Sequence, residues 1–96
     1  RYSTIMDKQP FLQGVSTIMD NDLDLSALRG FRTVLREGSF SAAALALRMP
    51  KSTLSKRVAD LESQLGVRLI ERSTRTLRPT QEGEVLAARA DRLLGE

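Results

Sequence analysis

The chain has 96 residues, with 15 lysines and arginines against 12 aspartates and glutamates, a formal net charge of +3, and neither cysteine nor histidine. That length suits one small domain, with a core of two or three helices and a hairpin but no room for an elaborate catalytic cleft, and the missing residue types remove disulfides, zinc-thiolate sites and the usual acid-base group. Most enzyme classes lose support thereby, and with no apolar run near the roughly 20 residues that span a bilayer and no secretory signal pattern, the chain reads as cytoplasmic with no membrane partner.

The charge is unevenly spread. Residues 1–22 carry two basic and three acidic side chains, whereas residues 48–78 carry eight basic and three acidic, a local excess of five positive charges. A polyanion fits such a distribution, although the same residues also suit the solvated face of any basic domain.

In chain order, residues 1–22 lack sustained periodicity and contain Pro10 and Gly14, so they read as a flexible N-terminal tail. The pentapeptide STIMD occurs at residues 3–7 and again at 16–20, too little for a structural repeat, and Met19 is a candidate natural start. A first helix is predicted from about Leu25 to Glu37, capped by Asp24 or Ser26, with Leu28, Phe31, Val34 and Leu35 on one stripe and Gly38 as its stop. Ser41 is placed to cap a second helix, Ala42 to about Leu47, with Phe40 packing on Leu45 as a hydrophobic staple. The alanines at 42, 43, 44 and 46 permit close crossing by another helix.

Pro50 then marks a turn and suits the start of the next helix, where a missing N–H costs nothing. Leu54, Val58, Leu61 and Leu65 recur at helical spacing and define a buried stripe that stops before Gly66. Ser52, Lys56 and Ala59 fall opposite that stripe, with Lys51 and Ser55 toward its N-terminal flank. The segment GVRLIERSTRTLRPT reads as a small hairpin, with Val67, Leu69 and Ile70 as strand candidates, a turn at Ser73 to Arg75, and a return at Thr76 to Arg78. Thr80 caps a last helix whose first turn is acidic and whose apolar side comprises Val85, Leu86, Ala90, Leu93 and Leu94. Any part of that side left uncovered by the head should bury against a second chain.

Two helices joined by a three-residue turn, the second displaying Lys51, Ser52, Thr53, Ser55 and Lys56, have what helix-turn-helix readout requires. Short hydroxyls approach base edges, and a cation reaches guanine acceptors or phosphates. Arg72, Arg75 and Arg78 on the following hairpin suit a minor-groove wing. Asp60 and Glu62 lack a third ligand at metal spacing and read as surface charges or partners of Arg57. Ser52 or Ser55 beside a lysine has neither oxyanion hole nor pocket, so no catalytic residue is assigned.

The stretches LSALRGFRTVLREGSFSAAALAL and STLSKRVADLESQLGVRLIERSTRTLRPTQEG carry a family likeness. From Leu23 to about Leu94 the chain resembles the N-terminal domain of LysR-type transcriptional regulators. The resemblance implies a mainly α fold, a winged helix-turn-helix with a three-helix head and small β-hairpin wing over residues 23–79, followed by the start of a linker dimerisation helix at 80–96. It implies a homodimer on double-stranded operator DNA at the nucleoid, with a tetramer as a further option for the full-length protein. Lys51, Ser52, Thr53 and Ser55 are expected near base edges with Lys56 beside them, Arg75 in the minor groove, and Ser41, Arg72 and Thr74 at the backbone. Lys56, Arg57, Arg72 and Arg78 are expected to supply mainly phosphate attraction, and Val85, Leu86, Arg89 and Leu93 to form the dimer contact.

The chain departs from the common family pattern at Lys51, where Gln is frequent, at Pro50, where Ser or Thr often caps the helix, and at Ile70, where Phe is frequent. Lysine favours guanine acceptors or a phosphate where glutamine reads adenine, so target bases do not transfer from a relative. The family's C-terminal effector-binding domain is not seen in this sequence, so the chain reads as a DNA-binding fragment without a cofactor, a small-molecule effector being expected only for that domain. The competing expectation is a protein–protein interaction module that uses the apolar side of residues 85–94 while its basic face stays solvated.

Overall fold

Leu28, Phe31 and Val34 lie three residues apart, and in the computed structural model all three are wholly or almost wholly buried on helix α1, Leu25–Glu37. The structure describes residues 25–72 and 76–95. Gly38 ends α1 with φ of +81° and bonds its N–H back to the Val34 carbonyl, a left-handed step that glycine takes without a Cβ penalty. Thr33, also buried, satisfies its hydroxyl on the Arg29 carbonyl at 2.7 Å.

Helix α2, Phe40–Leu47, begins two residues earlier than the sequence suggests. Its cap is Ser39 rather than Ser41: Ser39 is extended and its Oγ accepts from the Ala42 N–H at 3.0 Å. Because the chain reverses at Gly38 alone, the cap falls on the first serine and Ser41 is carried into the helix. The expected staple is absent as well, since Leu45 is 82% exposed while Phe40 packs against the core from α2's first turn. Arg48 closes α2 in the left-handed region at φ 58°, ψ 47°. The Arg48 N–H reaches the Leu45 carbonyl and the Met49 N–H the Ala44 carbonyl, the Schellman pattern with arginine where glycine usually stands.

Pro50 caps α3, Lys51–Leu65, without a side-chain hydrogen bond. Leu54, Val58, Leu61 and Leu65 form the predicted buried stripe, and Gly66 ends the helix at φ +72°. Glu62 departs from expectation. Instead of lying on the surface it is 8% exposed, and one of its oxygens accepts from the Leu69 and Ile70 N–H groups at 2.7 and 3.2 Å.

That carboxylate also explains why the hairpin strands are shorter than predicted. The Leu69 and Ile70 amides are bound to Glu62, leaving β1 at Ile70–Glu71 and β2 at Arg78–Pro79, paired antiparallel with Ile70 opposite Pro79 and Glu71 opposite Arg78. Helix α4, Gln81–Leu94, follows directly. Thr80 joins it to the hairpin: its Oγ accepts from the Gly83 N–H at 3.0 Å, its hydroxyl donates to the Arg68 carbonyl at 2.7 Å, and its own N–H donates to the Leu69 carbonyl at 3.0 Å.

The described fold is therefore mainly helical, a three-helix head with a two-stranded antiparallel wing and a fourth helix laid across it. One core unites all of these elements except β2, drawing on Phe31, Leu54, Leu61, Leu69, Ile70 and Leu86 among others. Leu86 and Ala90 are the α4 residues it takes. Leu86, expected at a dimer contact, is instead wholly enclosed by the chain's own head.

Candidate nucleic-acid interface

The second helix of the helix-turn-helix presents its polar face because its apolar stripe is fully used. Lys51 and Ser52 are exposed on the first turn of α3, Thr53 and Ser55 are half-buried beside them, and Lys56 and Ala59 are exposed one turn on. Small side chains dominate this face, so a groove wall can approach the helix axis closely.

Three elements meet at this face. A concavity of about 580 Å³ is lined by Ser39, Phe40 and Ser41 from the start of α2, Lys51, Ser55 and Ala59 from α3, and Glu71, Arg72 and Leu77 from the wing. It thereby brings together four of the predicted contact residues: Ser41, Lys51, Ser55 and Arg72. Arg78 is exposed on β2. Thr74 and Arg75, assigned to the wing tip, lie outside the described residues.

The cations differ in how they are held. Lys56 pairs with Asp60 at 3.1 Å one turn away, both largely exposed, an interaction worth about 0.5 kcal/mol and readily exchanged for a phosphate. Arg57 is half-buried and donates to the Ser26 hydroxyl of α1 rather than to Asp60 or Glu62. Arg72 donates to Glu62 at 3.2 Å, and its guanidinium lies 5.5 Å from the Phe40 ring centroid. The sequence reading missed Glu62 and Phe40 as partners of Arg72. The available signal was a carboxylate one turn beyond Val58, flanking the apolar stripe, with an arginine ten residues downstream.

On α4, Val85 and Leu93 remain 37% and 44% exposed, with Arg89 half-buried between them in sequence. Arg32 of α1 grips Asp91 of α4 through two guanidinium nitrogens, the second contact at 3.2 Å. Hydrogen bonding to Arg32 holds the Asp91 carboxyl below the usual carboxylate range; partial burial opposes this, and the positive charges of Arg32 and Arg36 add to it. Among the described residues no group of acidic side chains could hold a metal ion, and no helix is long and apolar enough to cross a membrane.

The sequence model for bacterial regulatory helix-turn-helix proteins of the lysR family matches residues 25–84. The chain belongs to the LysR family. Its relatives are transcriptional regulators, not enzymes: it is 45% identical over 76 residues to the HTH-type transcriptional regulator PtxR of Pseudomonas aeruginosa, covering 79% of this chain and 24% of that one. It is 46% identical over 71 residues to the iron-regulated virulence regulatory protein IrgB of Vibrio cholerae, covering 74% and 24%. This LysR-family chain thus spans about a quarter of the length of these relatives. Among solved structures, the BenM DNA-binding domain in complex with catB site 1 DNA superposes with a TM-score of 0.74 at 37% identity, covering 76% of this chain and 81% of that one. The winged helix-turn-helix fold is common to both.

Proposed function

We propose that this LysR-family chain binds double-stranded DNA sequence-specifically, as the reading head of a transcriptional regulator. The observation that carries the reading is the convergence of α2's start, the exposed face of α3 and the wing on one concavity that Lys51 and Arg72 line, in a fold that superposes on a domain solved with DNA. In this reading α3 enters the major groove and the wing lies over the minor groove. Lys51, Ser52, Thr53 and Ser55 face base edges; Ser41, Lys56 and Arg78 face the backbone; Arg75 and Thr74 belong to the wing contact.

Residues 23–79 form the binding unit and α4 begins a pairing helix. Two copies meet through the outward side of α4, with Val85, Arg89 and Leu93 at the contact, and hold their α3 helices about 34 Å apart or a multiple of it, to match successive major grooves. The site of action is the cytoplasm, at the nucleoid.

Selection from a randomised duplex library, followed by binding at two salt concentrations, tests the reading. The expected result is enrichment of an inverted repeat, with affinity falling as a power of salt concentration. Replacing Ser55 and Lys56 together by glutamate should weaken binding to the enriched duplex by about a hundredfold or more, through added repulsion and blocked approach. Failure to enrich any sequence, with binding that barely responds to salt, would favour the protein–protein module instead.

A further inference from the structure

Arg72 stands at the wing base, where a sequence reading makes it a phosphate contact, yet its guanidinium already has two partners from two other elements. Glu62 of α3 accepts from it at 3.2 Å, and the Phe40 ring of α2 lies beneath it at 5.5 Å. Glu62 is itself fully committed: its other oxygen accepts from the Leu69 and Ile70 amides at the entry to β1. The carboxylate is 8% exposed, and burying it is tolerable only while these partners remain. The guanidinium, though about a third exposed, is oriented by a charge-assisted hydrogen bond on one side and a ring on another.

We infer that Glu62 and Arg72 are positioning residues for DNA binding: they lock the wing base to α2 and α3, and Arg72 is not itself a phosphate ligand. This inference rests on the DNA-binding reading and assigns a different role to one of its cations. Contact with DNA needs α3 and the wing held at a fixed separation, because the two must enter adjoining grooves of one duplex. The two-residue strands supply little rigidity of their own, since so short a hairpin is barely stable alone. The tie through Glu62, Arg72 and Phe40 joins the wing base to both helices that line the concavity.

The two roles predict opposite results. A phosphate ligand would be replaced adequately by lysine, which keeps the charge, and removing Glu62's negative charge would tighten binding by releasing Arg72. A positioning residue would not tolerate lysine, whose ammonium lacks the planar fork that meets Glu62 while lying on Phe40. Removing the Glu62 charge would then weaken binding even though the site becomes more positive.

The experiment uses the whole chain and the duplex that the unaltered chain enriches from a randomised library, with a shuffled duplex as control. Arg72→Lys and Glu62→Gln are each expected to bind the enriched duplex about tenfold more weakly, with the salt slope unchanged and the preference over the shuffled duplex reduced. Phe40→Leu keeps an apolar side chain and removes only the ring; an expected loss of about threefold keeps the test open if Glu62→Gln does not fold. Tighter binding by Glu62→Gln, or undiminished binding by both Arg72→Lys and Phe40→Leu, would overturn the assignment while leaving DNA binding intact. If the unaltered chain enriches no duplex, the DNA-binding reading itself fails, before any variant is compared.

Discussion

A Cβ built on Gly83 would stand 2.1 Å from the Leu69 carbonyl oxygen and 3.1 Å from its carbon. These are backbone atoms fixed by the Thr80 N–H, so no rotamer change can relieve the clash. In an open helix Gly→Ala gains about 1 kcal/mol of helix propensity, but here the overlap outweighs it. Gly83→Ala should cost a net of about 2 kcal/mol and lower Tm by about 10 °C, read from a thermal melt; a rise would show that α4 does not sit this close to Leu69. Arg48 poses the opposite case. It holds φ 58° without being glycine, a conformation that costs a residue with a Cβ about 1 kcal/mol. Arg48→Gly relieves that strain while adding entropy to the unfolded chain, so it should raise Tm by about 2 °C, and a lower Tm would refute the strain. From composition alone both positions look ordinary, because the demand on each is made by backbone geometry.

The helices themselves were legible. The stripes of α1 and α3 and the Thr80 cap of α4 stand where periodicity and capping chemistry put them. What periodicity does not report is how one helix is pinned to another, and here Arg32 and Asp91, 59 residues apart, tie α1 to α4. Because the folded Asp91 carboxyl titrates below its ordinary value of 3.8, the stability it contributes is fully present above that value and is lost as pH falls through the lower folded value. Asp91→Asn should accordingly melt below the unaltered chain at neutral pH. The gap should shrink as pH falls through the lowered value of the folded Asp91, where the native carboxyl protonates. A pH-independent gap would mean that Asp91 acts through packing and not through charge.

Seen as one object, the molecule divides its apolar residues between an interior and an outward remainder. Leu86 and Ala90 seat α4 on the head, and this leaves Val85 and Leu93 for a second copy in the proposed pair. Leu93→Glu should leave the head folded, since that side chain is 44% exposed, yet raise the dissociation constant of the pair by about tenfold or more in sedimentation equilibrium. Unaltered self-association would move the pairing surface elsewhere. Fold class, helix order, the α3 polar face and the family likeness were all carried by local pattern, because an amphipathic repeat commits one face of a helix whatever it packs against. The burial of Glu62, the tethering of Arg72 and the inward turn of Leu86 were not, because each depends on residues that only folding brings together, and the Ser39 cap was not, because it depends on where the turn at Gly38 falls. Two serines two positions apart have equal claim to cap a helix until the preceding turn selects one. A carboxylate beside an apolar stripe reads as surface charge until the amides that surround it have come into place.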